Sequence, residues 1–248
     1  MRSCSGNLYM NKRAGKGEAY EPTCHEQLAN TASHGIAIIP SLIALRWMID
    51  ASHRDLQHAI SWVFGIFTTI LFLTSTLYHG CEWMFRPKFS KLRYYLHIID
   101  RAAIYFFIAA SYTPWLMLRD CGPTGANLKW SIWLFAILGI VYQYNFHERY
   151  KSLETFLYVV IAAGPAFAIF TIQDRSGLPI MLAGGLVYML GVVFFKMDGI
   201  IPFAHAIWHC HVLVGAFLQY VAVYTALLGP DKNNPFPDLS APGVPIVS

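Results

Sequence analysis

The stretch IIPFAHAIWHCHVLVGAFLQYVAVYTALL, Ile200–Leu228, contains three histidines but no aspartate, glutamate, lysine or arginine. It is longer than the roughly 20 apolar residues that a helix needs to cross the hydrocarbon core of a bilayer. The stretch therefore predicts a transmembrane helix. Histidine is costly inside such a helix unless it has a partner, so the three histidines need an explanation.

The composition of the whole chain agrees with a membrane protein. Of its 248 residues, 56% are hydrophobic and 13% are charged, whereas about 25% are charged in a typical soluble domain. The net charge of +4 is small, and the basic residues are spread over short segments. This charge distribution argues against a nucleic-acid partner.

The sequence predicts an all-α membrane protein, a bundle of seven transmembrane helices within residues 29–228. A polar tail, residues 1–28, precedes the bundle, and a tail rich in proline and glycine, residues 229–248, follows it and is predicted to be disordered. The seven predicted spans are Ala29–Met48, His58–Tyr78, Leu96–Leu118, Trp130–Phe146, Leu153–Ile172, Leu178–Phe195 and Ile200–Leu228.

The loop charges predict the orientation of the bundle. Eleven lysines and arginines fall on the side of the N-terminus and six on the other side. Because cytoplasmic loops carry the excess of Lys and Arg, we expect a cytosolic N-terminus and a C-terminus on the opposite side.

Four polar groups lie at the ends of the predicted spans. They are EQLANTASH (26–34), STLYH (75–79), HIIDR (97–101) and HAIWHCH (205–211). In the predicted topology all four fall in the cytosolic leaflet, at a similar depth. Polar residues placed at random would occupy both leaflets, so the clustering favours one shared site.

The histidine spacing predicts a metal site within this cluster. His205 and His209 are separated by about 40° around a helix, so both can face one centre. His79 would supply a third nitrogen, and three protein ligands with an open fourth position are typical of catalytic zinc. Asp100 and Ser75 would then orient a water molecule or the ligands.

Other interpretations of the same residues remain open at this point. His205 and His209 could form a hydrogen-bonded helix pair without metal, and His79 could lie at the membrane interface. Asp100 could pair with its neighbour Arg101, and Ser75 could be a packing residue.

The other polar residues of the chain are mostly expected to have structural roles. For the group Glu26, Asn30 and His34 we favour ordinary helix-start chemistry over a second metal site. Cys210 remains a possible ligand. Packing or interface positions are expected for His53, His58, His97, His147 and His211.

In combination, these motifs resemble a known family. S-x-x-x-H at 75–79, Asp100, SYTPW at 111–115 and H-x-x-x-H at 205–209 resemble the progestin and adipoQ receptor (PAQR) family, which includes the haemolysin III-type proteins. The segments Asp100–Arg119 and Gly191–His209 are most similar to its branch of monocyte to macrophage differentiation factors.

The resemblance implies a seven-helix fold with a cytosolic N-terminus. It also implies Zn²⁺ held by His79, His205 and His209, with Asp100 and Ser75 near its water. The adiponectin-receptor branch implies ceramide hydrolysis. The differentiation-factor branch implies Golgi, late-endosome or lysosome membranes, with effects on kinase signalling and macrophage activation.

Three functions follow as hypotheses. We rank first a receptor-like or scaffold protein that modulates signalling kinases, in which zinc holds three helices together. The alternative is a zinc-dependent amide hydrolase that acts on a ceramide-like lipid with Asp100 and Ser75 as catalytic residues. A transporter or pore ranks last, because no polar stripe crosses the membrane.

Overall fold

Seven α-helices, one 3₁₀ segment and no β-strand make up the part of the chain that the computed structural model describes, residues 9–15, 18, 20–147, 149–172 and 174–229. The helices are α1 (Cys24–Ala51), α2 (Asp55–Phe85), α3 (Ser90–Leu118), α4 (Gly122–Phe146), α5 (Lys151–Ala163), α6 (Leu178–Phe195) and α7 (Ala204–Ala226). The 3₁₀ segment, Gly164–Thr171, continues α5. The predicted all-helical class is confirmed.

Five of the helices, α1, α2, α4, α6 and α7, are long and apolar enough to cross a membrane. Helix α5 has 13 residues and reaches a longer span only with its 3₁₀ continuation. Helix α3 begins with the polar sequence SKLRYY. Each predicted span coincides with a helix, but the count of seven crossings and the orientation of the termini remain predictions.

The helix ends differ from the predicted boundaries. Helix α1 begins at Cys24, inside the predicted tail 1–28, because Thr23 and Glu26 form a capping box there. Helix α2 continues past Tyr78 to Phe85. Of the tail predicted to be disordered, 229–248, all but residue 229 lies outside the described residues.

The bundle is apolar outside and holds polar side chains within its apolar core. Ile36 is 70% and Ile39 69% exposed on α1, whereas Asn30, Gln57 and Gln143 are completely buried. An apolar outer surface of this extent is typical of contact with lipid rather than water. Together with the five apolar helices, this surface shows an integral membrane protein.

The helices of the bundle pack against their neighbours, with one weak junction between α5 and α6. Helix α1 packs against α2 and α7, α2 against α3, α3 against α4, and α6 against α7. Helix α5 packs against α3 and α4 but not extensively against α6. Close packing of α6 on α7 depends on Gly215, since a Cβ there would lie 2.7 Å from the Tyr188 ring.

The alternating helix directions give the bundle two ends. We call the end where α1, α3, α5 and α7 begin the histidine end, because His79, His205 and His209 lie there. We call the other the arginine end. At that end Arg119 binds Asp174 and Ser176 of the α5–α6 loop, as well as the Ala226 carbonyl of α7.

Candidate metal centre

Three histidines from two helices meet at the histidine end. One nitrogen from each of His79, His205 and His209 lies within 4.8 Å of the other two. His79 and His209 are buried, and the His205 side chain is 18% exposed. The structure thus brings together the three histidines that the sequence predicted to meet, in an arrangement that could hold a metal ion.

Hydrogen bonds to Nδ1 orient two of the rings. His79 Nδ1 lies 2.9 Å from Gln27 Oε1, and His209 Nδ1 lies 3.2 Å from the Asn30 carbonyl oxygen. Because both oxygens accept, each Nδ1 carries the proton and each Nε2 carries the lone pair. His79 Nε2 is buried with no hydrogen-bond partner. A buried acceptor without a partner fits a metal ligand.

Three residues around these rings were not anticipated from the sequence. Gln27 binds His79, Ser33 Oγ lies 3.0 Å from His209 Nδ1, and Asp198 Oδ2 lies 3.6 Å from His205 Nδ1. Acceptors behind the ligating rings are a regular feature of metal sites. Gln27 and Ser33 do lie in the polar stretch at the start of α1, which was the available signal.

That polar stretch divides between two roles. Glu26 does form helix-start hydrogen bonds, since it accepts from the Thr23 amide at 2.8 Å. The other two members of the group reach the histidine cluster instead. Asn30 accepts from His209, and the His34 ring stacks on His209 with ring centroids 3.8 Å apart. Both nitrogens of His34 are buried without a hydrogen-bond partner.

Asp100 and Ser75 line the same cavity as the three histidines. The Asp100 carboxylate lies within electrostatic range of His205 and Arg101 and beside Ser75. The Ser75 hydroxyl is buried and has no partner in full hydrogen-bond geometry. Both side chains are therefore placed where a ligand in the cavity could be contacted.

Arg101 pairs with a carboxylate of another helix rather than with its neighbour Asp100. Its Nη1 lies 2.8 Å from Glu154 Oε1 on α5. Its Nε donates to His97 at 3.0 Å, and His97 in turn lies 3.0 Å from His147 of α4. His97 and His147 thus belong to a structural network that joins α3, α4 and α5.

His211 and Cys210, the other polar residues of the HAIWHCH stretch, lie outside the histidine cluster. His211 lies 2.8 Å from the Ile207 carbonyl and stacks on Phe194, so it faces away from the cluster as its spacing predicted. Cys210 is exposed and does not belong to the cluster.

A cavity of about 960 Å³ extends from the cluster into the bundle. It reaches Met181 in the first turn of α6 and Gln219 in the C-terminal part of α7, towards the arginine end of the bundle. Leu186 lines the cavity although 67% of the residue is exposed. The cavity therefore reaches the outer surface at the weak junction between α5 and α6.

Comparison with known proteins identifies the family. A model of the family described as Haemolysin-III related matches residues 22–220. The human protein named Monocyte to macrophage differentiation factor is 40% identical over 219 residues, which cover 88% of this chain and 92% of that protein. The chain belongs to the Haemolysin-III related family.

Bacterial members of this Haemolysin-III related family are also similar to the chain. Hemolysin-3 of Bacillus cereus is 35% identical over 204 residues, covering 80% of this chain and 90% of that protein. The Hemolysin-3 homolog of Bacillus subtilis is 34% identical over 210 residues. The resemblance predicted from the sequence motifs is confirmed, and the matched region contains the complete histidine cluster.

Proposed function

We propose that the chain is a zinc-dependent amide hydrolase that acts on a ceramide-like lipid within the membrane. The observation that carries the proposal is the cavity: it joins the histidine cluster to Asp100, Ser75 and a deep apolar space of about 960 Å³. A site whose only task was to hold helices together would need no such space. The volume lies at the upper end of the roughly 300–1,000 Å³ usual for ligand pockets.

Each group in the site has a task in amide hydrolysis. Zinc held by His79, His205 and His209 would supply Lewis-acid chemistry and would lower the pKa of water. Gln27 and the Asn30 carbonyl keep His79 and His209 oriented. Asp100 accepts the proton of the attacking water and returns it to the leaving amine, and Ser75 donates to the amide carbonyl.

The junction of α5 and α6 gives a lipid substrate a path to the site. Val159 of α5 and Met189 of α6 line the cavity, and the two helices are not in extensive contact. A lipid can thus enter from the bilayer without first passing into water. The amide of a ceramide-like lipid lies just below the headgroups, at the depth of the cluster.

The first test is the metal content of the purified full chain. We expect about one zinc per chain, lost in the double variant His205→Ala/His209→Ala. The matched control is His53→Ala/His58→Ala, which removes two histidines outside the cluster and should keep the metal. A wild-type chain without zinc after chelator-free purification would contradict the proposal.

The second test separates catalysis from metal binding. Asp100→Asn should keep zinc and fold but lower ceramide turnover by roughly 100-fold or more. Asp50→Asn, at an exposed position of α1, is the matched control and should keep turnover. Equal turnover by the wild type and Asp100→Asn would reject this role of Asp100.

A second proposed function is a receptor-like or scaffold role in kinase signalling linked to macrophage differentiation. The name of the 40% identical human protein refers to monocyte to macrophage differentiation. On this proposal the chain occupies Golgi or late-endosome and lysosome membranes, and zinc stabilises the bundle. Expression of the wild type and expression of Asp100→Asn should then change the phosphorylation of signalling kinases to the same extent. A response that disappears with Asp100→Asn would instead assign the signalling to hydrolysis.

A further inference from the structure

The cavity has an excess of positive charge where it opens at the histidine end. Among the described residues, its lining contains the cations Arg13, Arg101, Arg149, Lys151 and Lys196 and the carboxylates Asp100 and Asp198. Glu154 balances the charge of Arg101, and Asp198 lies against His205. Among the described lining residues, cations thus outnumber carboxylates at the mouth.

Arg13 and Lys196 carry this charge. Within the described part of the chain, neither forms an ion pair with a carboxylate, and Lys196 Nζ donates to the Thr155 hydroxyl at 3.5 Å. Desolvation, together with the charges of Lys151, Arg101 and Arg13, lowers the pKa of Lys196, and Glu154 only partly opposes this. Cations gathered in a cleft without matching anions are typical of a site for an anionic ligand.

Arg13 is held at the mouth by specific contacts of its segment. Gly199, in the loop between α6 and α7, has φ 73°, and a Cβ on it would lie 2.5 Å from the Arg13 Cα. Only glycine permits this approach without strain. Nearby, Asn11 Nδ2 donates to the Glu21 carbonyl at 2.8 Å. The structure therefore fixes the backbone of Arg13 at the mouth, where its side chain lines the cavity.

The charged mouth adjoins both the histidine cluster and the apolar depth. Lys196 stands two positions before Asp198, which contacts His205. Along α6, the lining residues Lys196 and Met181 are separated by roughly 22 Å, at 1.5 Å per residue. Between these levels Met189 and Val192 make the wall apolar. A ligand that fills this space has an anionic head and a long apolar tail.

We propose that the cavity selects amide lipids with a phosphate headgroup, such as a ceramide phosphate, and that Arg13 and Lys196 bind the phosphate. The proposal rests on the proposed lipid-binding function of the cavity and names the headgroup that its mouth recognises. The amide of such a lipid lies only a few bonds from the phosphate. Phosphate at the mouth thus places the amide beside His205 and Asp100.

The test measures binding of three probes to the full chain in nanodiscs of neutral lipid: ceramide phosphate, ceramide with the same acyl chain, and inorganic phosphate. We expect ceramide phosphate to bind at least about tenfold more tightly than ceramide, since contacts to a charged group contribute most. Lys196→Gln and Arg13→Gln should each lower the affinity for ceramide phosphate roughly tenfold and leave the affinity for ceramide unchanged.

Two matched controls lie at the arginine end. Lys129→Gln and Arg46→Gln remove the same charges far from the mouth and should change neither affinity. Raising the salt concentration should reduce the preference for ceramide phosphate, because screening weakens contacts to partly exposed charges.

Two outcomes would overturn the inference. Equal affinity for ceramide phosphate and ceramide would show that the mouth does not recognise the phosphate headgroup. Inorganic phosphate bound as tightly as the phosphorylated lipid would show a site for free phosphate. Zinc measured on the same samples separates the two proposals. If the chain binds zinc but binds ceramide phosphate and ceramide equally, only the headgroup inference is rejected. If the chain holds no zinc but still binds ceramide phosphate more tightly than ceramide, only the metal site is rejected.

Discussion

The two ends of the bundle hold different kinds of buried polar groups. At the arginine end Arg119 is buried and binds Asp174 at 3.1 Å, and Gln57 donates to the Leu227 carbonyl at 3.0 Å. At the histidine end, buried polar atoms without a hydrogen-bond partner include His79 Nε2 and Ser75 Oγ. Arg119 Nε and Trp115 Nε1 at the arginine end also lack a partner, but both are donors, whereas His79 Nε2 is an acceptor that lines a cavity. A buried acceptor beside open space is where a ligand is expected.

The packing of the two ends shows the same contrast. Below Arg119, the side chains of Trp115, Leu118 and Leu227 are almost completely buried. From the histidine end, by contrast, a cavity of about 960 Å³ extends into the interior. One end of the fold thus contributes stability, and the other keeps polar groups and space available for chemistry.

The largest effect expected from this contrast is that of Arg119→Met. The change removes contacts from α3 to the α5–α6 loop and to the end of α7, so we expect a loss of about 3 kcal/mol in the free energy of unfolding. Zinc content per folded chain should not change. Thermal unfolding in detergent, with zinc measured on the same sample, checks both. The neighbouring Arg175→Met, at an exposed position, should have little effect on either.

A paired substitution compares the two ends directly. Gln27→Met removes the acceptor of His79 and should lower zinc affinity by roughly 10- to 100-fold, measured by competition with a chelator. Gln57→Met removes donors to the end of α7 and should cost about 1–3 kcal/mol of unfolding free energy. Each variant is the control for the other. Zinc affinity lowered equally by both would show that the ends are not independent.

The sequence predicted the parts of this arrangement that depend on spacing along one helix. His205 and His209 lie one turn apart, and the alternation of spans places His79 at the same end. The all-helical class followed from long runs with few charges. These features need only helical periodicity and the thickness of the bilayer.

The sequence did not predict the parts that depend on how helices rotate against each other. Nothing in the spacing indicates that Gln27 and Ser33 face the rings of other helices, or that Arg101 reaches Glu154 rather than Asp100. The cavity could not be predicted either, because it depends on how sparsely α5 packs against α6. Such features are set by tertiary packing.

The smallest effect concerns how the histidine end holds α1 in place. The Thr23 hydroxyl accepts from the Glu26 amide, and Glu26 also accepts from the Phe203 amide just before α7. Thr23→Ala should therefore cost about 1 kcal/mol of unfolding free energy, while Thr23→Ser, which keeps the hydroxyl, should cost little. Chemical denaturation of both variants measures this difference.

The same two variants test whether the cap also positions the metal site. Gln27 lies in the first turn of α1, four residues after Thr23, so fraying of that turn would move the acceptor of His79. We expect Thr23→Ala to lower zinc affinity by less than Gln27→Met does, since the rest of α1 stays packed against α2 and α7. A zinc affinity lowered as much as in Gln27→Met would show that the cap, rather than helix packing, holds the ring of His79 in place.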